Sequence, residues 1–215
     1  MAELLNHEIE FRGKDVMDKR KTFKIAICGA GAIGSNLVNH LCRQGFADIS
    51  VIDMDKVEVH NISTQIWGKR DCGNNKAVVL KNIMARDVGI IINAINKKLD
   101  EDNVKKLLSS FSLVIDAFDN WESRKLVKNF CLKENIACVH AGMSDQGFSD
   151  VKWNENYIIP EKIAKQEDVC DYPLARNCVD ITVAALAEIV CKFADENRKV
   201  NCDIMLEPLK ITPME

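Results

Sequence analysis

One short loop constrains this chain more than any other feature. Phe23-Lys24-Ile25-Ala26-Ile27-Cys28 reads as a buried strand, Gly29-Ala-Gly31-Ala-Ile-Gly34 follows at once, and Ser35 to Gln44 has the spacing of a helix. A strand that enters a helix through such a loop opens a nucleotide-binding βα unit. Small residues let the backbone approach a nucleotide, and the free N–H groups of the helix N-terminus favour negative charge. Asp53 ends the next apolar run, Ile49-Ser-Val-Ile-Asp53, where a carboxylate accepts hydrogen bonds from ribose hydroxyls. The competing reading, a turn whose glycines serve packing alone, does not explain that carboxylate.

Downstream, helical and strand patterns alternate. Lys76 to Arg86 reads as a helix, Gly89 to Ile95 as a strand, Asp102 to Leu108 as a short helix, and Leu113 to Asp116 as a strand. Trp121 to Glu134 and Ala137 to His140 complete the series as helix and strand. The alternation implies an α/β fold, a Rossmann-like doubly wound and mainly parallel sheet. Gly147 to Trp153 and Tyr157 to Ile159 look like antiparallel additions toward the C-terminus, followed by an apolar helix from Val179 to Phe193 and a short run from Ile204 to Ile211. The expected organisation is a helical lead-in over 1–20, with Leu4, Leu5 and Ile9 as its apolar positions, and one nucleotide-binding domain over 21–215. Within that domain, about 154–177 reads as a crossover-like segment. At 215 residues and 47% hydrophobic, the chain can bury one full core.

Composition excludes several classes. The net charge is −3, and Lys and Arg are scattered among acids, so no DNA-binding face is expected. No apolar window of ~18 residues predicts a membrane span, and Met1 to Arg20 lacks the apolar stretch of a signal peptide. Nine cysteines stand at 28, 42, 72, 131, 138, 170, 178, 191 and 202, with no C-x-x-C pair, which argues against disulfides and structural zinc. So many unpaired thiols suit a reducing compartment, and a cytoplasmic location is expected.

A lone glycine fingerprint suggests NAD. The residues after it suggest a triphosphate. Asp55 follows Asp53, Asn61 and Gln65 lie on the polar stretch beyond, Lys76 begins a helix, and Asp119-Asn120 sits just past the fourth strand. That last position is the carboxyl edge, where open α/β sheets bind ligands. Two carboxylates, a lysine and two amides suit phosphate and metal chemistry; hydride transfer needs an apolar nicotinamide slot and a proton donor. Each residue also has an ordinary structural role open to it: Asp119 and Asn120 as caps of the following helix, Lys76 as a solvated surface lysine.

Taken in order, these motifs resemble the ubiquitin-activating-like adenylyltransferases, the ThiF/MoeB/HesA family, over about Arg12 to Phe193. The resemblance rests on Gly29, Gly31 and Gly34, on Asp53-Met-Asp55, on Asn61-Ile-Ser-Thr-Gln65, on Lys76, and on Asp119-Asn120 with Ser123-Arg124. It implies ATP and Mg²⁺ as cofactors. It also implies an acyl-adenylate formed on the C-terminal glycine of a ubiquitin-like or sulfur-carrier protein. By the same resemblance Asp53 holds the ribose, Asn61, Gln65 and Lys76 contact phosphates, and Asp119 ligates the metal, with Asp55 as a second ligand. Arg12 matches an arginine that reaches a neighbouring subunit's site, which implies a homodimer.

The chemistry is consistent with these roles. Attack on an α-phosphate builds charge that Lys and Mg²⁺ stabilise, and the attacking carboxylate is already ionised at neutral pH. The sequence departs from the family pattern at Thr64, where the family has arginine; Arg70 or Arg12 replaces it, or catalysis is weaker. Cys170, in Val-Cys-Asp-Tyr-Pro173, holds roughly the place of a cysteine that forms a thioester in many relatives. Asp168 and Asp171 disfavour its thiolate, while Arg176 and the helix beginning near Cys178 favour it. Alternatives of other classes are adenylation of a small-molecule, peptide or modified-RNA carboxylate, a non-catalytic scaffold subunit of the same fold, and an NAD-dependent oxidoreductase.

Overall fold

The structure, a computed structural model, describes residues 3–144, 146–159 and 174–214. Eight strands among these residues form one sheet in the order β3-β2-β1-β4-β5-β6-β7-β8. Five strands are parallel: β1 (Ile25–Cys28), β2 (Ile49–Ile52), β3 (Asn93–Ile95), β4 (Leu113–Asp116) and β5 (Cys138–Met143). Then β6 (Phe148–Trp153), β7 (Asn201–Leu206) and β8 (Leu209–Met214) extend the sheet antiparallel. The expected doubly wound, mainly parallel fold is therefore present.

The central strands are buried throughout and mostly apolar because both faces are covered. Successive side chains point to opposite sides, and the two cores divide β1 accordingly. Ile25 and Ile27 join the core beneath α3 (Ala32–Arg43), α4 (Lys76–Asp87) and α7 (Arg176–Glu196). Ala26 and Cys28 join the core beneath α5 (Val104–Leu108) and α6 (Trp121–Glu134).

The structure corrects several boundaries. The third strand begins at Asn93 rather than Gly89, because Gly89 has φ +73°, outside any strand geometry. Tyr157 to Ile159 is not a strand; a turn after Trp153 directs the Tyr157 ring onto His140. The run from Ile204 to Ile211 belongs to a β7–β8 hairpin. The lead-in forms two short helices, α1 (Asn6–Arg12) and α2 (Lys14–Arg20), split at Gly13, and of its three apolar positions only Leu5 is buried. It is tied down by Arg20. That guanidinium is fully buried, pairs with both carboxylate oxygens of Asp195 on α7 (3.0 and 2.5 Å), and donates to the Gln44 carbonyl. A bidentate, shielded pair of this kind fixes orientation as well as charge.

The eight described cysteines are free thiols, and seven are buried. Burial pushes Cys42 and Cys191 up to about 12 and Cys202 up to about 11, so these thiols behave as core residues. No helix among the described residues is long and apolar enough to cross a membrane.

Candidate functional site

The glycine loop takes its shape from two close approaches. At Gly29 φ is +100°, and an added Cβ would stand 2.8 Å from the Ala117 carbonyl oxygen. At Gly34 a Cβ would stand 2.0 Å from the Gly29 oxygen, so the first turn of α3 can pack on the loop only without a side chain. Gly31 differs: nothing lies within 4 Å of where its Cβ would be, and its open side faces a cleft.

That cleft has a volume of about 850 Å³ and lies at the carboxyl edge, where the sheet's order reverses between β1 and β4. Such a switch point is the usual ligand crevice of an open α/β sheet. Gly29, Gly31, Asp53, Asp55, Lys76, Asp119 and Asn120 all line it. Seven residues expected from widely separated motifs thus line one cleft.

Asp53 is nearly buried. Its Oδ2 accepts the Ala30 N–H at 2.6 Å and its Oδ1 accepts the Asp55 N–H at 2.7 Å. Burial raises its carboxyl above the usual range; the Ala30 amide and Lys76 oppose that shift. The carboxylate therefore braces the glycine loop against the end of β2. Lys76 opens α4, is almost fully covered, and its ammonium lies 3.4 Å from Asp55.

Asn75 caps α4, accepting the Val78 N–H at 3.1 Å. Its Nδ2 donates to the Asp53 carbonyl (3.1 Å), the Asp55 carbonyl (3.0 Å) and Asn96 Oδ1 (2.9 Å). One side chain thus joins the exits of β2 and β3 to the start of α4.

On the opposite wall, Asn120 caps α6 by accepting the Ser123 N–H at 2.9 Å. The capping role weighed for it is real and coexists with its place in the cleft. Asp119 makes no cap and stands exposed to the cleft. Among the described residues no three His, Cys, Asp or Glu side chains converge as a structural metal cage would require. Asp55 and Asp119, two carboxylates on one cleft, match the sparser protein ligation of Mg²⁺, which keeps waters and takes phosphate oxygens.

Four expected site residues lie elsewhere. Gly34 packs behind the loop. Asn61 is buried, its Oδ1 accepting the Glu58 N–H, and Gln65 accepts the Trp67 indole N–H at 2.5 Å. Neither amide lines the cleft. Arg12 pairs with two acids of its own chain, Glu8 at 2.8 Å and Glu188 at 2.7 Å. Cys170 lies outside the described residues.

Of the two arginines weighed against Thr64, Arg70 is exposed beside Asp71, and Arg12 is held by its two acids. Asn36 Nδ2 donates to the Thr64 carbonyl at 2.8 Å, and Arg176 donates to Asn36 Oδ1 at 3.4 Å. The guanidinium that the fold brings to this loop is Arg176.

Sequence reasoning missed Lys97, Lys98, Leu99, Phe118 and Trp121, which also line the cleft. Their positions just beyond β3 and β4 were the available signal.

Fold and cleft together define a Rossmann-like α/β protein with a cleft at the switch point of its sheet. The chain belongs to the ThiF family, whose description matches residues 5–153. It is 30% identical over 145 residues to the SUMO-activating enzyme subunit 2 of Dictyostelium discoideum, covering 66% of this chain and 22% of that protein. It is also 30% identical over 119 residues to the sulfur carrier protein adenylyltransferase of Thermus thermophilus, covering 54% of this chain and 44% of that one. The chain thus spans less than half the length of these curated relatives. Among solved structures, E. coli MccB with ATP superposes with a TM-score of 0.76 at 20% identity, covering 93% of this chain and 66% of that one. PaaA superposes at 0.78 and 18% identity, covering 100% and 73%. These two likenesses show the fold.

Proposed function

We propose that this protein is an adenylyltransferase that uses ATP with Mg²⁺ to activate the C-terminal carboxylate of a ubiquitin-like or sulfur-carrier protein. One observation carries this reading: the glycine loop, Asp53, Lys76, Asp55 and Asp119 converge on a single cleft at the switch point of the sheet. The relatives named above, a SUMO-activating subunit and a sulfur-carrier adenylyltransferase, support the choice of reaction and substrate.

In this assignment Gly31 and the N-terminus of α3 receive the phosphates, and Asp53 takes ribose hydroxyls with its remaining acceptor capacity. Lys76 exchanges its Asp55 partner for a phosphate oxygen. Asp119 and Asp55 would hold Mg²⁺, which would supply electrostatic stabilisation to the pyrophosphate that leaves as the α–β bond breaks. Carboxylate attack on the α-phosphate needs no general base, since the nucleophile is already anionic.

ATP–pyrophosphate exchange tests the reading. Exchange that depends on Mg²⁺ and on a carrier ending in glycine is expected, with Mg-dependent ATP binding by calorimetry. Tight NADH binding without ATP binding would overturn it. We also propose a homodimer in which Arg12 leaves Glu8 and Glu188 to reach a neighbour's cleft. Mixing Arg12→Ala and Asp119→Ala chains then restores part of the lost activity; full activity in a strict monomer removes that idea.

A further inference from the structure

Beneath the cleft lies a fully buried polar cluster that the adenylation chemistry does not use. Asp116 ends β4 and His140 stands beside it on β5, both with no solvent exposure. Asp116 Oδ2 meets His140 Nδ1 at 2.7 Å, while its Oδ1 accepts the Phe118 N–H at 3.1 Å. The histidine's other nitrogen, Nε2, meets Asn154 Oδ1 at 2.7 Å. The Asn154 amide is oriented in turn, because its Nδ2 donates to the Lys128 carbonyl at 3.2 Å. The Tyr157 ring stacks on the imidazole at 4.0 Å, and Arg124 donates to the Tyr157 hydroxyl (2.9 Å) and the Ala141 carbonyl (2.8 Å).

Hydrogen-bond accounting orients the ring. A carboxylate faces Nδ1, and an amide oxygen faces Nε2. Turning the Asn154 amide over would place its oxygen against the Lys128 carbonyl. Both ring nitrogens therefore face acceptors, and the ring is the side-chain partner of the buried Asp116 carboxylate. A buried charge left without such a partner is strongly unfavourable. The other ionisable groups facing the ring are Cys138 on β5, Asp150 on β6, and Arg124 and Lys128, which reach it through Tyr157 and Asn154.

We infer that His140 is a positioning residue for the nucleotide cleft: by donating from both nitrogens it holds Asp116 in the orientation that fixes the turn carrying Asp119. The inference rests on the cleft being an ATP site. The path is short. Asp116 Oδ1 grips the amide of Phe118, the neighbour of Asp119, and both Phe118 and Asp119 line the cleft. Among the described residues the Asp119 side chain makes no hydrogen bond or ion pair within the turn, so its aim follows from the backbone that Asp116 holds.

Two variants separate positioning from packing. His140→Phe keeps a ring to stack on Tyr157 but loses both donors. Tyr157→Phe keeps the stacked ring and both imidazole nitrogens and removes only the hydroxyl that meets Arg124. With both proteins shown folded by circular dichroism, His140→Phe is expected to weaken Mg-ATP binding by tenfold or more in calorimetry, while Tyr157→Phe stays within threefold of wild type. Equal binding by His140→Phe and wild type would overturn the inference. Nitrogen NMR of the wild-type protein, with ¹⁵N-labelled histidine at neutral pH, is expected to show His140 protonated at both nitrogens; an unprotonated ring nitrogen there refutes it even if His140→Phe does not fold. Failure of wild type to bind ATP at all refutes the nucleotide assignment instead, and the NMR result still judges the histidine.

Discussion

The two halves of the sheet obey different rules. In the parallel half every residue of β1, β2 and β4 is buried, so a polar side chain there stands out, as Asp116 does at the end of β4 and Asp53 just past β2. In the antiparallel half burial alternates along β6 and fades across β8, whose Leu209 is 70% and Ile211 53% exposed. A sheet covered on both faces tolerates little change and holds side chains still. A sheet covered on one face is cheap to alter and leaves its other face open. If this contrast is right, substitutions in the two halves should differ in kind as well as size.

The largest effect should come from the cleft. Asp119→Ala is expected to lower ATP–pyrophosphate exchange by ~10³-fold with the melting temperature nearly unchanged, because the side chain bears charge for the reaction and caps nothing. A large fall in melting temperature would reassign Asp119 to structure. Lys76→Met should cost ~10²-fold in the same assay, the scale of losing one electrostatic contact to a developing anion. Gly34→Ala acts through packing: its Cβ meets the Gly29 carbonyl, so a destabilisation of ~2 kcal/mol or more is expected by urea titration. Ordinary stability there would mean the loop yields easily.

The antiparallel half should respond weakly. Ile211→Ala, on the exposed edge strand, should change stability by under ~0.5 kcal/mol; a larger loss would show that something covers that edge in solution. Asp150→Asn should even stabilise. Burial raises the Asp150 carboxyl above its ordinary 3.8, with Arg124 and Lys152 opposing. The folded chain then binds the proton more tightly than the unfolded one. Stability falls as pH rises from about 3.8 through the raised value. The asparagine variant should therefore melt higher at neutral pH and lose that advantage in acid. Identical pH profiles would remove the assignment.

What the sequence could reveal followed the same division. The glycine loop, Asp53 and Asp119-Asn120 were legible because each sits at a strand end, and Lys76 because it opens a helical pattern; such edges are marked by local apolar runs. Pairings across the fold were not legible. Arg20 meets Asp195 and Arg12 meets Glu188 through the packing of α1 and α2 on α7, at separations of 175 and 176 residues. His140 finds Asp116 only because β5 lies beside β4 in a register that no local pattern encodes. The third strand was read too long because apolar content was weighed above the backbone demand of Gly89. Asn75 passed as an ordinary polar residue, since capping and bridging by one amide leave the same trace in sequence as a solvated loop.

That asparagine has a consequence for how the cleft takes a ligand. With the ends of two strands and the start of a helix riveted by a single amide, the floor bearing Asp53, Asp55 and Lys76 is set before anything arrives. Recognition then resembles docking into a mould more than folding around a guest: little ordering remains to be done, and the free energy of contact is not spent on it.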